Sequence, residues 1–147
     1  MPKAISLNNA SKSYWQAGKE IKVINNLNLE IGEGEMISIT GPSGSGKTTL
    51  LNIIALIDSF DSGKLNIFEN DLSNINEKVK SKFRKNNFGF VYQSNNLFED
   101  FNAIDNVALP LILNNYNKKD AYEKSEKILD KFGLVDRIKH FPNSLSG

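Results

Sequence analysis

The sequence predicts an α/β domain in which a small antiparallel β unit precedes a strand–loop–helix core and a helical region follows. Three observations carry this prediction. Apolar and polar side chains alternate between Ile5 and Ile31, the period of half-buried strands. Two short apolar runs, residues 36–40 and 88–92, read as strands covered on both faces. The first run feeds a glycine-rich loop, and beyond that loop Leu50, Ile53, Ile54 and Ile57 recur at helical spacing.

Taken in order, Ile5 and Leu7, then Ile21 and Val23, then Leu27, Leu29 and Ile31 form the β unit, with turns expected at Gly18-Lys19, Asn25-Asn26 and Gly32-Glu33-Gly34. The helix from Lys47 is apolar almost all round through Leu50, Leu51, Ile53, Ile54, Ala55, Leu56 and Ile57, and is expected to be central and buried. Residues 59–63 break it. Residues 64–68 read as an edge strand and Asn70-Asp71 as a turn. Asn74 and Glu77 have capping-box spacing, opening a helix with Val79 and Phe83 inward. Its Lys78, Lys80, Lys82, Arg84 and Lys85 face out, as a solvated face rather than a nucleic-acid surface. The strand at 88–92 ends on Gln93, and the carboxyl end of a buried strand is where α/β proteins place ligand contacts. A loop over 95–102 carries Leu97, Phe98 and Phe101. A helix over 103–113 is bent or ended near Pro110. Another over 118–132 has Ala121, Ser125, Ile128 and Phe132 on one stripe, with Gly133 placed to stop it. Residues 134–143 are irregular.

At 147 residues the chain has the length of one domain with a real core. A net charge of +1 gives none of the basic field on which nucleic-acid binding relies. With no cysteine, disulfides and thiolate metal sites are excluded, which suits a reducing cytoplasm. No apolar run approaches the ~20 residues of a membrane span, and the start does not read as a signal peptide. Abundant asparagine and lysine read as compositional bias.

The chemistry is carried by Gly41-Pro42-Ser43-Gly44-Ser45-Gly46-Lys47-Thr48, followed by Thr49. This is G-x-x-x-x-G-K-[ST], the phosphate-binding P-loop. Gly41, Gly44 and Gly46 permit backbone turns closed to side chains, so that N–H groups point inward at an anion. The helix beginning at Lys47 adds its unpaired amides and about half a positive charge. Lys47 is placed to reach the β- and γ-phosphates, and the Thr48 hydroxyl to ligate Mg²⁺.

Together with Gln93 and the terminal Leu145-Ser146-Gly147, this P-loop resembles the ATP-binding subunit of an ABC transporter over the whole chain. Phe88-Gly89-Phe90-Val91-Tyr92-Gln93 and the stretch from Phe101 to Leu111 resemble its lipoprotein-release and macrolide-export subgroup. The resemblance implies a P-loop NTPase fold, incomplete at the C-terminus, with a β subdomain over about 1–34, a core over about 35–93 and a helical subdomain over about 94–147. It implies Mg-ATP as ligand, held by Gly41, Ser43, Gly44, Ser45, Gly46, Lys47, Thr48 and Thr49. Tyr14 corresponds to the aromatic that stacks on adenine, with Trp15 beside it as the other candidate; both rings could instead cover the β unit. Gln93 corresponds to the glutamine that contacts Mg²⁺ and positions the attacking water. Ser146 and Gly147 begin the Leu-Ser-Gly-Gly-Gln signature, which binds the γ-phosphate held by a second ATP-binding subunit. The implied partners are that second subunit and an integral membrane transporter subunit, at the cytoplasmic face of the cell membrane, with no nucleic acid. Residues 94–113 are the implied contact with the membrane subunit, although Leu97, Phe98 and Phe101 read equally as core of the helical part.

Two departures stand out. The subgroup's Gly-Gly pair late in the first helix is Ala55-Leu56 here, which is expected to extend that helix. The chain also ends inside the signature, before the Asp and catalytic Glu of the second ATPase box and before the switch histidine. His140 precedes the signature and is not that histidine. By resemblance the full-length protein hydrolyses ATP to drive export or lipoprotein release, whereas this chain is not expected to turn it over and, short of a core strand, is expected to be marginal or self-associating. Two other readings compete. Asn117-Lys118-Lys119-Asp120 has the N-K-x-D form of a guanine box, which makes a GTPase reading possible, but the D-x-x-G match, Asp130 to Gly133, follows it and lies in a helix. The other is a regulatory module that holds nucleotide without turnover.

Overall fold

The computed structural model describes residues 2–94 and 96–145, in two compact units, residues 1–88 and 89–147. In the first, β1 (Lys3–Gln16) and β2 (Lys19–Gly32) pair antiparallel, β3 (Ser62–Ile67) adds to β1, and β4 (Asn70–Asp71) adds to β3, giving the order β2-β1-β3-β4. The hairpin turn is the two-residue Ala17-Gly18, both at positive φ (50° and 76°), as a tight hairpin requires. Helix α1 (Lys47–Ile54) supplies Ile53 and Ile54 to a core with Leu7, Ala10, Ile24, Leu65, Ile67 and Leu72. Leu7 and Ala10 are three residues apart, yet both are buried. The register slips between them on both ladders, and Asn9 takes φ 49°, so the bulge returns the strand to its inner face.

Several expectations are corrected here. Asn25-Asn26 is no turn: β2 runs through it, and Asn26 (φ 46°) lies where the register slips. The segment 64–68 is no edge strand, because β3 has a neighbour on each side. Residues 36–40 form no strand and Met36 is 97 % exposed; residues 88–92 likewise are irregular, with Val91 fully exposed. Apolar composition alone does not make a strand without a ladder to join. Nor is α1 buried all round, since Leu51 is exposed. Ala55-Leu56 ends α1 instead of extending it: Ala55 is the C-cap and Leu56 turns to φ 59°.

Helix α2 (Glu77–Asn87) is capped by Asn76, whose side chain accepts from the Val79 amide, and not by Asn74. Phe83 packs on the core while Val79 is exposed. Lys80 and Arg84 do not simply face solvent: both are largely covered and approach Glu77 at 3.1 and 3.9 Å, and Arg84 Nη1 also donates to the Leu56 carbonyl.

In the second unit α3 (Ala103–Leu113) runs through Pro110 and packs against α4 (Lys118–Lys131). Small buried residues, Ala103, Ala108, Ala121 and Ser125, allow close approach, and the Ser125 hydroxyl is satisfied by the Ala121 carbonyl at 2.7 Å. Tyr122 donates to Asp105, which, with slight burial, pushes the Tyr122 hydroxyl above its ordinary pKa. The inward stripe is Ala121, Ser125 and Leu129; Ile128 and Phe132, expected inside, are exposed. Val135–Arg137 and Pro142–Ser144 are short 3-10 turns. No helix among the described residues is long and apolar enough to cross a membrane.

Candidate nucleotide-binding site

The loop over residues 41–46 is built from its turns. Gly41, Gly44 and Gly46 take φ of 152°, 78° and 87°. At Gly46 two constraints coincide, because a Cβ there would lie 2.8 Å from Val23 Cγ1 and 3.0 Å from the Val23 carbonyl oxygen. Only glycine lets α1 begin this close to β2. The Ser45 amide donates to the Pro42 carbonyl at 3.3 Å, closing the loop, and the Leu50 amide donates to Gly46 at 2.8 Å, starting the helix.

Lys47 folds back over this loop. Its ammonium donates to the carbonyls of Gly41 and Pro42 at 2.9 and 2.7 Å, with Ser45 Oγ at 3.5 Å. A positive charge is thereby held at the start of a helix whose first turn carries no side-chain cap and no acid. The other three helices contrast with it: Asn76, Asn102 and Asn117 cap α2, α3 and α4, and each first turn holds an acidic residue. Where each of those helices pairs a first-turn amide with its cap and sets an acid against its dipole, α1 does neither. A cavity of about 370 Å³ opens here, lined by Thr40, Gly41, Pro42, Ser45, Gly46 and Lys47 on its polar side and by Val23, Ile39 and Leu50 on its apolar side. Ser43, Gly44 and Thr48 are exposed, and Thr49 is half-buried.

Tyr14 lies near the end of β1, half exposed, in the same unit as the loop. Its hydroxyl donates to Asp58 Oδ2 at 2.6 Å. The Lys12 ammonium lies 5.0 Å from the ring centroid and 3.3 Å from Asp58 Oδ1. The Asp58 hydrogen bond, helped by slight burial, raises the Tyr14 pKa above its usual value. Partial burial pushes Asp58 up, but the hydrogen bonds from Tyr14, the Ser59 amide and Lys12 outweigh it and hold its carboxyl below the ordinary range. Trp15 is 76 % exposed. No sequence pattern marks Asp58, which is a lone acid just past the helix that the P-loop opens.

Gln93 is exposed and belongs to the second unit, as do Phe98 and Phe101, whose rings meet at 5.6 Å. Phe98 is 59 % exposed, and Leu97 and Phe101 are also exposed, so these side chains are not the core of that unit. Asn106 shapes their loop: it accepts from the Phe98 amide at 2.9 Å and donates to the Phe98 and Phe101 carbonyls at 3.1 and 2.9 Å. The N-K-x-D match is a helix start. Asn117 accepts from the Asp120 amide and donates to its carboxylate at 2.7 Å, which commits both to capping α4. His140 is exposed, and its carbonyl accepts from the Ala103 amide. Ser146 and Gly147 lie outside the described residues.

A family model described as ABC transporter matches residues 24–147. The chain is 43 % identical over 145 residues to the lipoprotein-releasing system ATP-binding protein LolD of Rickettsia bellii, covering 99 % of this chain and 63 % of that protein. It is 44 % identical over 144 residues to the ABC transporter ATP-binding protein YknY of Bacillus subtilis, covering 97 % and 62 %. Among solved structures, a dimeric post-hydrolysis state of an ATP-binding cassette bound to ADP and Pi superposes with a TM-score of 0.86 at 35 % identity, covering 97 % of this chain and 63 % of that one. The chain thus spans somewhat less than two thirds of the length of each.

Proposed function

The chain belongs to the ABC transporter family, and on that premise we propose that it binds Mg-ATP at the loop over residues 41–48. The observation that supports this most is the Lys47 ammonium held on the Gly41 and Pro42 carbonyls, beside a helix start with neither cap nor acid. A triphosphate oxygen can replace those carbonyls as the partner of Lys47, forming the stronger charge-assisted bond. Ser43, Gly44 and Gly46 offer amides to the phosphates, Ser45 does so by giving up its 3.3 Å bond to the Pro42 carbonyl, Thr49 lies in the same first turn, and Tyr14 presents a ring to adenine.

A bound Mg²⁺ would supply charge neutralisation of the phosphates. Hydroxyl and amide oxygens suit so hard a cation, and the exposed Thr48 hydroxyl on the first turn of α1 fits that role, with Gln93 as the second ligand and the residue that orients water. The proposal divides the chain into a β subdomain over about 1–34, a core over about 35–93 and a helical part over about 94–147, with Ser146 and Gly147 meeting the γ-phosphate of a second ATP-binding subunit. For the whole protein we propose ATP hydrolysis coupled to lipoprotein release or export, at the inner face of the cell membrane, through a membrane subunit met by the exposed Leu97, Phe98 and Phe101.

Calorimetric titration of the chain with Mg-ATP and Mg-GTP tests the binding claim. Lys47→Ala is expected to weaken ATP at least about tenfold, the loss of one charge-assisted bond, with GTP no tighter than ATP. A folded Lys47→Ala variant that binds ATP like the wild type would overturn the proposal.

A further inference from the structure

The segment leaving α1 is stitched to the end of β1 by more bonds than a simple connection needs. Asp58 accepts from the Tyr14 hydroxyl at 2.6 Å, from the Ser59 amide at 2.7 Å and from Lys12 at 3.3 Å. Asp61 accepts from the Ser13 amide at 2.7 Å, and its own amide donates to the Ser11 carbonyl at 2.8 Å. Lys12 is 12 % exposed at its side chain and stands over the Tyr14 ring.

A half-exposed tyrosine near a strand end ordinarily samples several rotamers. This one is held at its hydroxyl by Asp58, just past the end of α1, and Lys12 stands over its ring, so a base would stack on the opposite face. We infer that Asp58 is a positioning residue for the nucleotide base: by holding the Tyr14 hydroxyl it fixes the ring at a set distance from the phosphate loop that begins the same helix. The gain is preorganisation, since the ring is ordered before the base arrives. This inference rests on the reading of Tyr14 as the adenine-stacking residue.

The experiment titrates the chain and its variants with two probes, Mg-ATP and Mg-tripolyphosphate, which share phosphates but not the base. Tyr14→Phe keeps the ring and removes the tie, and Asp58→Ala removes it from the other side. Each is expected to weaken Mg-ATP about three- to tenfold, with tripolyphosphate unchanged, and the double variant to be no weaker than either single one. Asp58→Asn, which keeps an acceptor, should recover part of the loss. Wild-type ATP affinity in Tyr14→Phe and Asp58→Ala, an equal loss for tripolyphosphate, or additive losses in the double variant would overturn the positioning role. Tyr14→Ala separates the two claims. If it binds ATP as the wild type does, the stacking reading fails and takes the inference with it; if it weakens ATP alone while Tyr14→Phe and Asp58→Ala do not, stacking stands and only the role of Asp58 is lost.

Discussion

Helices α1 and α4 end in the same way with opposite residues. In α1 the Ile57 amide donates to Asn52 at 2.8 Å and the Leu56 amide to Ile53 at 3.0 Å; in α4 the Leu134 amide donates to Leu129 at 2.9 Å and the Gly133 amide to Asp130 at 2.8 Å. Both pairs are the Schellman arrangement, and both need a residue at positive φ, supplied by Leu56 at 59° and by Gly133 at 68°. Glycine does this without strain, whereas an L-residue pays about 1–2 kcal/mol. Nothing lies within 4 Å of where a Gly133 side chain would begin, so the α4 stop is a matter of backbone alone. Leu56, by contrast, is 2 % exposed in the core beside α1, and burying a leucine yields about 1.5–3 kcal/mol. Burial and strain are comparable there, with burial ahead. One helix is stopped by its glycine and the other by its core.

The sharpest way to break this comparison is to remove the Leu56 side chain with and without its Cβ. Leu56→Ala keeps the strain and loses the packing, and is expected to cost about 3 kcal/mol in urea unfolding. Leu56→Gly loses one carbon more but relieves the strain, so it should be about 1 kcal/mol less damaging, the reverse of the order found inside a helix. If glycine is no better than alanine at this position, the φ of 59° stores no strain and the two helix ends do not differ as argued. A smaller effect is expected at the other end. Gly133→Ala meets no neighbour and should cost only the backbone strain of about 1 kcal/mol, read from the same unfolding curve. A neutral result would mean that the α4 end relaxes freely.

The same contrast explains what was legible in the sequence. Gly133, the P-loop glycines and Lys47 announce themselves because one residue type alone meets the local need. Leu56 does not, because its turn is imposed by side chains distant in sequence, so extending α1 through Ala55-Leu56 was the natural reading. Segments 36–40 and 88–92 have the composition of strands, but strand formation depends on a ladder partner that composition does not report. The abundance of asparagine reads as compositional bias, yet Asn9 and Asn26 take the bulge conformations, Asn76, Asn102 and Asn117 cap three helices, and Asn106 shapes the loop before α3. Its short polar side chain suits each place for a local reason. In the site, Tyr14 was legible through resemblance alone, and Asp58 not at all, because a single acid after a helix carries no pattern.

The smallest expected effect concerns the polar tie just past the end of α1. Asp58 titrates below its ordinary 3.8 in the folded protein, so the unfolded chain takes up its proton first as pH falls. Its contribution is therefore complete above 3.8 and is lost as pH drops through the lowered folded value. Tyr14 is raised above 10.0, so its contribution is complete below 10.0 and is lost as pH rises through the raised value. Between these limits the tie is intact, and because both side chains are partly in water it is expected to contribute only about 0.5 kcal/mol. Urea midpoints of the wild type and Tyr14→Phe, measured across pH, should differ by a constant small amount in the middle range and converge at both extremes. A gap that persists undiminished well below pH 3.8 would mean that the Tyr14 hydroxyl stabilises the α1 exit without needing the Asp58 charge, since phenylalanine keeps the ring and differs only by that hydroxyl. The tie at the end of α1 would then be a neutral hydrogen bond, in contrast to Leu56, which acts through apolar burial.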